Sequence, residues 1–278
     1  MRGNPKLKVS WLYEGALVAF RRQPGLCIGM YAIYVAFWSL GGTLFSMGPG
    51  DQDVVLSYEV RFGDGVVRSV AVVLLFFCVG AISGGYDLAM LRLQRGDSRI
   101  GFRALLVGFR KFWNLSGIYL IRFFAPFVFF TGGFLLAVPL ALVSVPAYVI
   151  FCTVLLFFGG LSGAFMLGTW TSFLLALEDD LKPIEALQRS WHLIDGFKSS
   201  LIPLALTHAS LFALTLAVAG VIYRVLLAFS LSEMMAQSAA ILSGLIGWLV
   251  LGSLSQLAWI DAYRELRGAA DGDNSASP

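Results

Sequence analysis

Between Arg122 and Glu178 the chain carries no charged side chain. A helix needs about 20 apolar residues to cross the hydrocarbon core of a bilayer, so this stretch is long enough for two crossings. Pro139 and Pro146 lie near its middle, where they would favour a break between two helices. Because a soluble fold could not bury so long an apolar run, the run indicates an integral membrane protein.

The composition of the whole chain agrees with this interpretation. Hydrophobic residues make up 58% of the 278 residues, and charged residues make up 13%, against roughly 25% in an average soluble domain. The mean hydropathy is +0.79. We therefore expect an all-α integral membrane fold with six transmembrane helices, whose approximate limits are 24–47, 69–91, 115–138, 148–177, 201–223 and 239–260.

A short basic amphipathic helix is predicted before each pair of apolar segments. The three apolar faces are Tyr13, Ala16, Leu17 and Phe20, then Phe102, Leu105, Leu106 and Phe109, then Ile184, Leu187, Trp191 and Ile194. Their aromatic residues recur at an interval of about 86 residues, which is typical of an internal repeat. We expect a threefold repeat with units at about 10–95, 98–178 and 181–268, within a single domain of 1–268, followed by a disordered tail at 269–278.

The second helix of each predicted unit carries two small residues four positions apart. These pairs are Gly80 and Gly84, Gly159 and Gly163, and Ser243 and Gly247. In lipid, such faces allow the backbones of two helices to approach closely. We therefore expect these faces to be helix contacts.

The distribution of basic residues predicts the orientation. Most of the 20 Lys and Arg residues fall on one side of the membrane if both termini are cytoplasmic, as the positive-inside rule requires. The net charge of +3 is then a topology signal, and it gives no reason to expect nucleic-acid binding. In the longest outer loop, 48–68, Tyr58, Val60 and Phe62 alternate with charged residues, which leaves a short strand and a flexible loop as alternatives.

Membrane lipids are the expected partners, and a protein partner is left open. The amphipathic helices should lie in the headgroup layer, where basic side chains would contact anionic lipid. The candidate contacts are Arg21, Arg22, Arg103, Arg110 and Lys111. The alternative is that the three helices pack as a cap against the bundle.

Arg122, Asp87 and His208 form a possible polar site within the membrane. Arg122 lies roughly 12 Å into the third span, and Asp87 is the nearest plausible counter-charge. Ionisable side chains inside a membrane often mark a transport or ligand site. The alternatives are a structural ion pair or a snorkelling side chain for Arg122, and a hydrogen bond between His208 and a neighbouring helix.

No catalytic, cofactor or metal motif is apparent, so we do not expect an enzyme. Cys27, Cys78 and Cys152 lie in apolar spans without paired spacing. The one carboxylate cluster is Glu178, Asp179 and Asp180. It could bind a divalent ion or a lipid amine, but we expect it to favour the start of the helix that follows.

A family resemblance centres on a D-x-x-P-x-E-A-L-x-x-S-W-x-L-x-x-G pattern. Its residues are Asp180, Pro183, Glu185, Ala186, Leu187, Ser190, Trp191, Leu193 and Gly196. The pattern resembles the signature of a broad group of bacterial multipass inner-membrane proteins of unknown function, which are related to the membrane domain of glycerophosphoryl diester phosphodiesterases. The resemblance implies a bacterial cytoplasmic membrane and a six-span core. It carries over no catalytic residue, and phosphodiesterase activity is not implied.

These observations favour a membrane protein with a scaffold or lipid-associated role. The alternative is a small transporter or channel that uses Arg122, Asp87 and His208. A water-filled path to Arg122 would favour the transporter, whereas a dry bundle would favour the scaffold.

Overall fold

A computed structural model describes residues 8–46, 65–97, 99–142, 147–195, 197–229 and 232–274, and these residues contain helices but no strand. The elements are α1 (Val9–Arg22), α2 (Pro24–Ser46), α3 (Gly65–Gln94), a 3₁₀ helix (Phe102–Lys111), α4 (Phe112–Leu142), α5 (Ala147–Gly168), α6 (Ser172–Glu178), α7 (Pro183–Ile194), α8 (Lys198–Ala228) and α9 (Glu233–Asn274). The all-α prediction is therefore confirmed for the described part of the chain.

Five helical segments are long and apolar enough to cross a membrane. They are Val73–Gln94, Phe102–Gly133, Phe157–Glu178, Ser199–Ala228 and Glu233–Ala270, and a shorter apolar segment covers Pro24–Phe37. These segments support the prediction of a membrane protein. The possible strand around Tyr58 lies outside the described residues.

The chain forms two compact units that interleave in sequence. The first unit comprises Met1–Ala36, Tyr86–Leu105 and Gly196–Pro278, and the second comprises Phe37–Gly85 and Leu106–Asp195. The first unit therefore contains α1, the first part of α2, the end of α3, the start of the 3₁₀ helix, α8 and α9. The second contains α4 to α7, most of α3 and the remaining parts of α2 and the 3₁₀ helix.

In the first unit, α1 packs along α9, and α8 and α9 form a helical hairpin. The predicted apolar face of α1 is only partly its packed face, because Leu12, Ala16 and Ala19 are buried whereas Leu17 is exposed. The reason is that α1 has apolar residues on two surfaces. One surface packs in the unit, and the other carries the exposed side chain of Leu17.

The second unit has a core shared by α4, α6 and α7. Its buried side chains are Leu115, Ile118, Phe173, Ala176, Ala186 and Leu187. On α7 the buried positions include Ser190 and Ile194, whereas Ile184 is 63% exposed and Trp191 is 37% exposed. The predicted face of α7 is therefore divided between the core and the surface, as in α1.

The second amphipathic segment is a 3₁₀ helix and not an α-helix. Three residues per turn place side chains at i and i+3 in line, and Leu105 and Gly108 are both buried. Gly108 lies directly against the backbone of α3 at Ala81 and Gly85, which leaves no room for a Cβ atom. Phe102 and Leu106, which were expected on the apolar face, are at least half exposed.

α9 continues through Asn274, into the segment that was expected to be disordered from Ala269. Ala269 and Ala270 favour helix, and no proline interrupts the chain before Pro278. The helix can therefore extend beyond its apolar part at little cost.

The small-residue faces differ in what they contact. On α3, a Cβ at Gly80 would lie 2.8 Å from the Leu115 carbonyl oxygen of α4. On α9, a Cβ at Gly247 would lie 3.3 Å from Thr215 of α8. On α5, no described heavy atom lies within 4 Å of a Cβ at Gly163. Two of the three predicted faces are thus close helix contacts.

Alanine substitutions on α3 and α5 test this difference. Gly80→Ala is expected to destabilise the fold by about 1–3 kcal/mol, because the backbone of α4 would have to move. Gly163→Ala is the matched control, and it should leave stability unchanged or raise it by up to about 1 kcal/mol by favouring the helix. Thermal unfolding of both variants in detergent measures the difference, and equal effects would contradict the packing described here.

Candidate functional site

A buried polar cluster in the first unit is built around two consecutive residues of α9. Ser255 Oγ lies 3.2 Å from the Tyr13 hydroxyl oxygen on α1 and 2.5 Å from His208 Nδ1 on α8. The next residue, Gln256, donates from Nε2 to Asp87 Oδ1 on α3 at 3.0 Å. We call Tyr13, Asp87, His208, Ser255 and Gln256 the polar cluster. Asp87 and His208, both candidates from the sequence, thus contact neighbouring positions of one helix.

Hydrogen bonding compensates for burial of the polar cluster. Ser255 is 1% exposed and Asp87 is 8% exposed, and buried polar groups are costly unless they have hydrogen-bond partners. A serine hydroxyl can both donate and accept, so Ser255 can form hydrogen bonds with His208 and Tyr13 at the same time. Burial raises the pKa of the Tyr13 phenol, and the hydrogen bond with Ser255 opposes this effect. Tyr13 is therefore neutral at physiological pH.

The histidine of the polar cluster contacts Trp248, which belongs to a group of neighbouring aromatic rings. The His208 ring meets Trp248 edge-on at a centroid distance of 5.7 Å, and Trp248 in turn lies 6.2 Å from Tyr31. Tyr31 contacts Tyr86, and Tyr34 stacks on Tyr86 at 5.2 Å. This tyrosine group could not be recognised from the sequence, because its members are spread over α2 and α3 without a characteristic spacing.

Arg122 lies in the second unit, where its guanidinium carbon is 5.2 Å from the centroid of the Phe173 ring. This geometry is that of a cation–π contact. The predicted pair of Arg122 with Asp87 would join residues of the two units, and it stays a prediction.

A pocket of about 220 Å³ lies between α1 and α9 in the first unit. Its lining residues are Gly15, Val18, Ala19, Arg22, Gln94, Asp261 and Arg264. The four residues of α1 share one face of that helix, because Val18 and Ala19 lie three and four positions after Gly15 and four and three positions before Arg22. Arg264 Nη1 lies 3.1 Å from Asp261 Oδ1. We call this the α1–α9 pocket; of its residues, only Arg22 had been a candidate from the sequence.

The predicted lipid-contact residues differ in their surroundings. Arg21, Arg22, Arg103 and Arg110 are exposed. Lys111 is partly buried, with Nζ 2.6 Å from Asp180 Oδ1 and 3.1 Å from the Ala176 carbonyl oxygen near the end of α6. A lysine at this position satisfies terminal helix carbonyls, so Lys111 has a structural role that the sequence did not indicate.

Asp179 and Asp180 of the carboxylate cluster form ion pairs with basic side chains. Besides the Lys111 contact, Asp179 Oδ2 lies 3.7 Å from Arg189 Nη2. α7 begins at Pro183, and the Lys182 backbone N–H donates to Glu185 Oε2 at 3.3 Å. The described residues contain no group of three His, Cys, Asp or Glu side chains arranged to hold a metal ion. Asp179 and Asp180 thus form ion pairs, and the helix-start interpretation stays a prediction.

The residues of the resemblance pattern build the corner between α5, α6 and α7. Thr171 Oγ1 donates to Ser190 Oγ at 2.7 Å, and Ser190 donates to the Gly168 carbonyl oxygen at 2.9 Å. The Trp191 ring packs directly on Gly168, and Ala186 lies in the core. The pattern thus has a packing explanation here; its last residue, Gly196, lies outside the described residues.

No protein-family model, curated protein or solved structure matches this chain. The family named from the pattern therefore stays a resemblance, and the function has to be argued from the geometry.

Replacing Ser255 tests the polar cluster. Ser255→Ala should destabilise the protein by about 1–3 kcal/mol, because it leaves His208 and Tyr13 without this partner. The control is Ser253→Ala on the same helix, since the buried Ser253 hydroxyl bonds to the Val250 carbonyl of its own helix and its loss should be nearly neutral. Thermal unfolding in detergent compares the two, and an equal loss would show that the cluster adds no stability.

Proposed function

We propose that the protein is a non-catalytic, six-span protein of the bacterial cytoplasmic membrane with a scaffold or lipid-associated role. The observation that carries this proposal is the large apolar surface of the α8–α9 hairpin. Only 6% of the most apolar stretch in each of these two helices is buried, against 71% in α3. Exposed apolar surface on this scale is stable in lipid but not in water.

The geometry of α1 supports contact with the headgroup layer. Trp11 is 61% exposed and Val18 is 54% exposed. Lys8 lies 4.6 Å from the centre of the Trp11 ring. Exposed Trp and basic residues beside an apolar face are typical of a helix at the membrane interface.

The order of elements supports a threefold repeat with six spans. A short helix followed by two long apolar segments occurs as α1–α2–α3, as the 3₁₀ helix with α4 and α5, and as α7–α8–α9. An even number of spans would return the chain to its starting side, and the positive-inside rule would make that side the cytoplasm.

A small transporter or channel is the second candidate, because Asp87 and His208 of the polar cluster contact neighbouring residues of α9. Their hydrogen bonds, however, also explain the cluster as a packing device. Ion or proton flux into vesicles that contain the purified protein, abolished by Asp87→Asn, would favour transport over the leading proposal.

Labelling of single cysteines tests the orientation. In a variant whose Cys27, Cys78 and Cys152 are replaced by Ala, Phe229→Cys should react with an impermeant thiol reagent in intact cells. Asp97→Cys should react only after the membrane is permeabilised, because the positive-inside rule places it in the cytoplasm. Both positions are exposed. Reaction of both in intact cells would disprove the proposed topology.

Lipid analysis tests the role of the exposed basic residues. Arg103→Ala and Arg110→Ala should each lower the affinity for phosphatidylglycerol by about 1 kcal/mol, as expected for a basic residue near an anionic surface. Arg224→Ala, also exposed but predicted on the outer side, is the control. Mass spectrometry of lipids that copurify with each variant gives the comparison. An equal loss in all three variants, or no loss at Arg103, would contradict the proposal.

A further inference from the structure

The α1–α9 pocket lies where two apolar segments end. α9 carries no charged residue between Glu233 and Asp261, and Gln94 is the last residue of α3. A charge-free segment of this length reaches through the hydrocarbon core. The pocket would therefore open at the level of the lipid headgroups.

The size of the pocket limits its ligand. Its volume of about 220 Å³ is below the roughly 300–1,000 Å³ that is usual for small-molecule sites. A phosphate with a short polar substituent suits this space. Acyl chains would have to lie outside, where Leu17 of α1 is exposed.

The charges in the pocket leave one basic side chain for a ligand. Arg264 is paired with Asp261, whereas Arg22 makes no ion pair with any residue that the structure describes. Arg22 lies beside Gly96, which has a φ of +86° in the turn that ends α3. A Cβ atom at Gly96 would be 3.7 Å from Arg22 Nη1. A guanidinium presents paired donors that match a phosphate, so Arg22 can neutralise one phosphodiester.

Gln94 supplies an acceptor that needs a donor. Its Nε2 donates to the Leu257 carbonyl oxygen at 2.6 Å, but its buried Oε1 has no hydrogen-bond partner among the described residues. Such buried acceptors are rare in folded proteins. A ligand hydroxyl would satisfy it without adding charge. A ligand ammonium would need a counter-charge, and the Asp261 carboxylate is already paired with Arg264.

We propose that the α1–α9 pocket binds a phosphodiester headgroup that carries a hydroxyl, with the phosphate at Arg22 and the hydroxyl at Gln94. A glycerol-type phospholipid has this chemistry, and its position at the membrane surface favours it over a soluble phosphate. This inference rests on the proposed lipid-associated function and makes it specific to one site.

The neighbouring arginines of α1 provide a matched test. Arg21 and Arg22 have the same charge and are both exposed at the end of α1, but only Arg22 lines the pocket. Dihexanoyl phosphatidylglycerol is titrated calorimetrically into the full-length protein in a neutral detergent. Arg22→Gln should weaken binding at least tenfold, whereas Arg21→Gln should weaken it less than twofold. Val18→Phe, which fills the pocket without a charge change, should also weaken binding at least tenfold.

The other outcomes separate the pocket from the general lipid association. Equal losses in the two arginine variants, or undiminished binding in Val18→Phe, would overturn the pocket but leave lipid association intact. Absence of binding to the unmodified protein would overturn both. Dihexanoyl phosphatidylethanolamine should bind at least tenfold more weakly, and equal affinity would overturn the hydroxyl assignment. Glycerol 3-phosphate should bind weakly, and binding as tight as that of the lipid would identify a soluble ligand instead.

Discussion

Helices in lipid gain little from bringing apolar side chains together, because the acyl chains are as apolar as the protein core. Association then depends on close backbone approach and on a few polar contacts. Both are present in this chain. Gly80 and Gly108 bring neighbouring backbones into direct contact in the second unit, while Ser255 and Gln256 link α9 to three other helices of the first unit.

This constraint also explains why the short helices carry apolar residues on more than one surface. In a soluble protein the exposed surface of α1 would be polar. Here Leu12 and Ala16 are buried while Trp11 and Val18 remain exposed. A helix with a packed apolar surface, an exposed apolar surface and basic residues at its end is suited to the boundary between bundle, acyl chains and headgroups.

The sequence predicted the features that hydropathy determines. The charge-free run after Arg122 predicted two helices, and α4 ends at Leu142 while α5 begins at Ala147. It did not predict which apolar residues are packed, since Leu12 and Leu17 have the same chemistry and only tertiary contacts distinguish them. Nor did it predict the 3₁₀ helix, because residues three positions apart, such as Leu105 and Gly108, also fit an α-helical pattern.

The partners within the candidate sites were beyond sequence reasoning for a different reason. Tyr13 and Ser255 are 242 residues apart in the chain, and nothing in the local pattern of either residue identifies the other. Asp87 and His208 could be singled out because polar groups are rare in membrane helices. That Gln256 and Ser255 are their partners follows only from the packing of α3 and α8 on α9.

The polar cluster and the α1–α9 pocket depend on the same contact between α1 and α9. Tyr13 of the polar cluster is two residues before Gly15, the first α1 residue that lines the pocket, and Gly15 lies directly against the Asp261 carboxylate. A headgroup bound at Arg22 would contact α1, the end of α3 and α9 together. Because a ligand that binds only the packed arrangement stabilises it, such a lipid would hold α1 on α9 and thereby protect the buried hydrogen bonds of Ser255. The proposed lipid-associated role and the buried polar residues would then share one physical explanation.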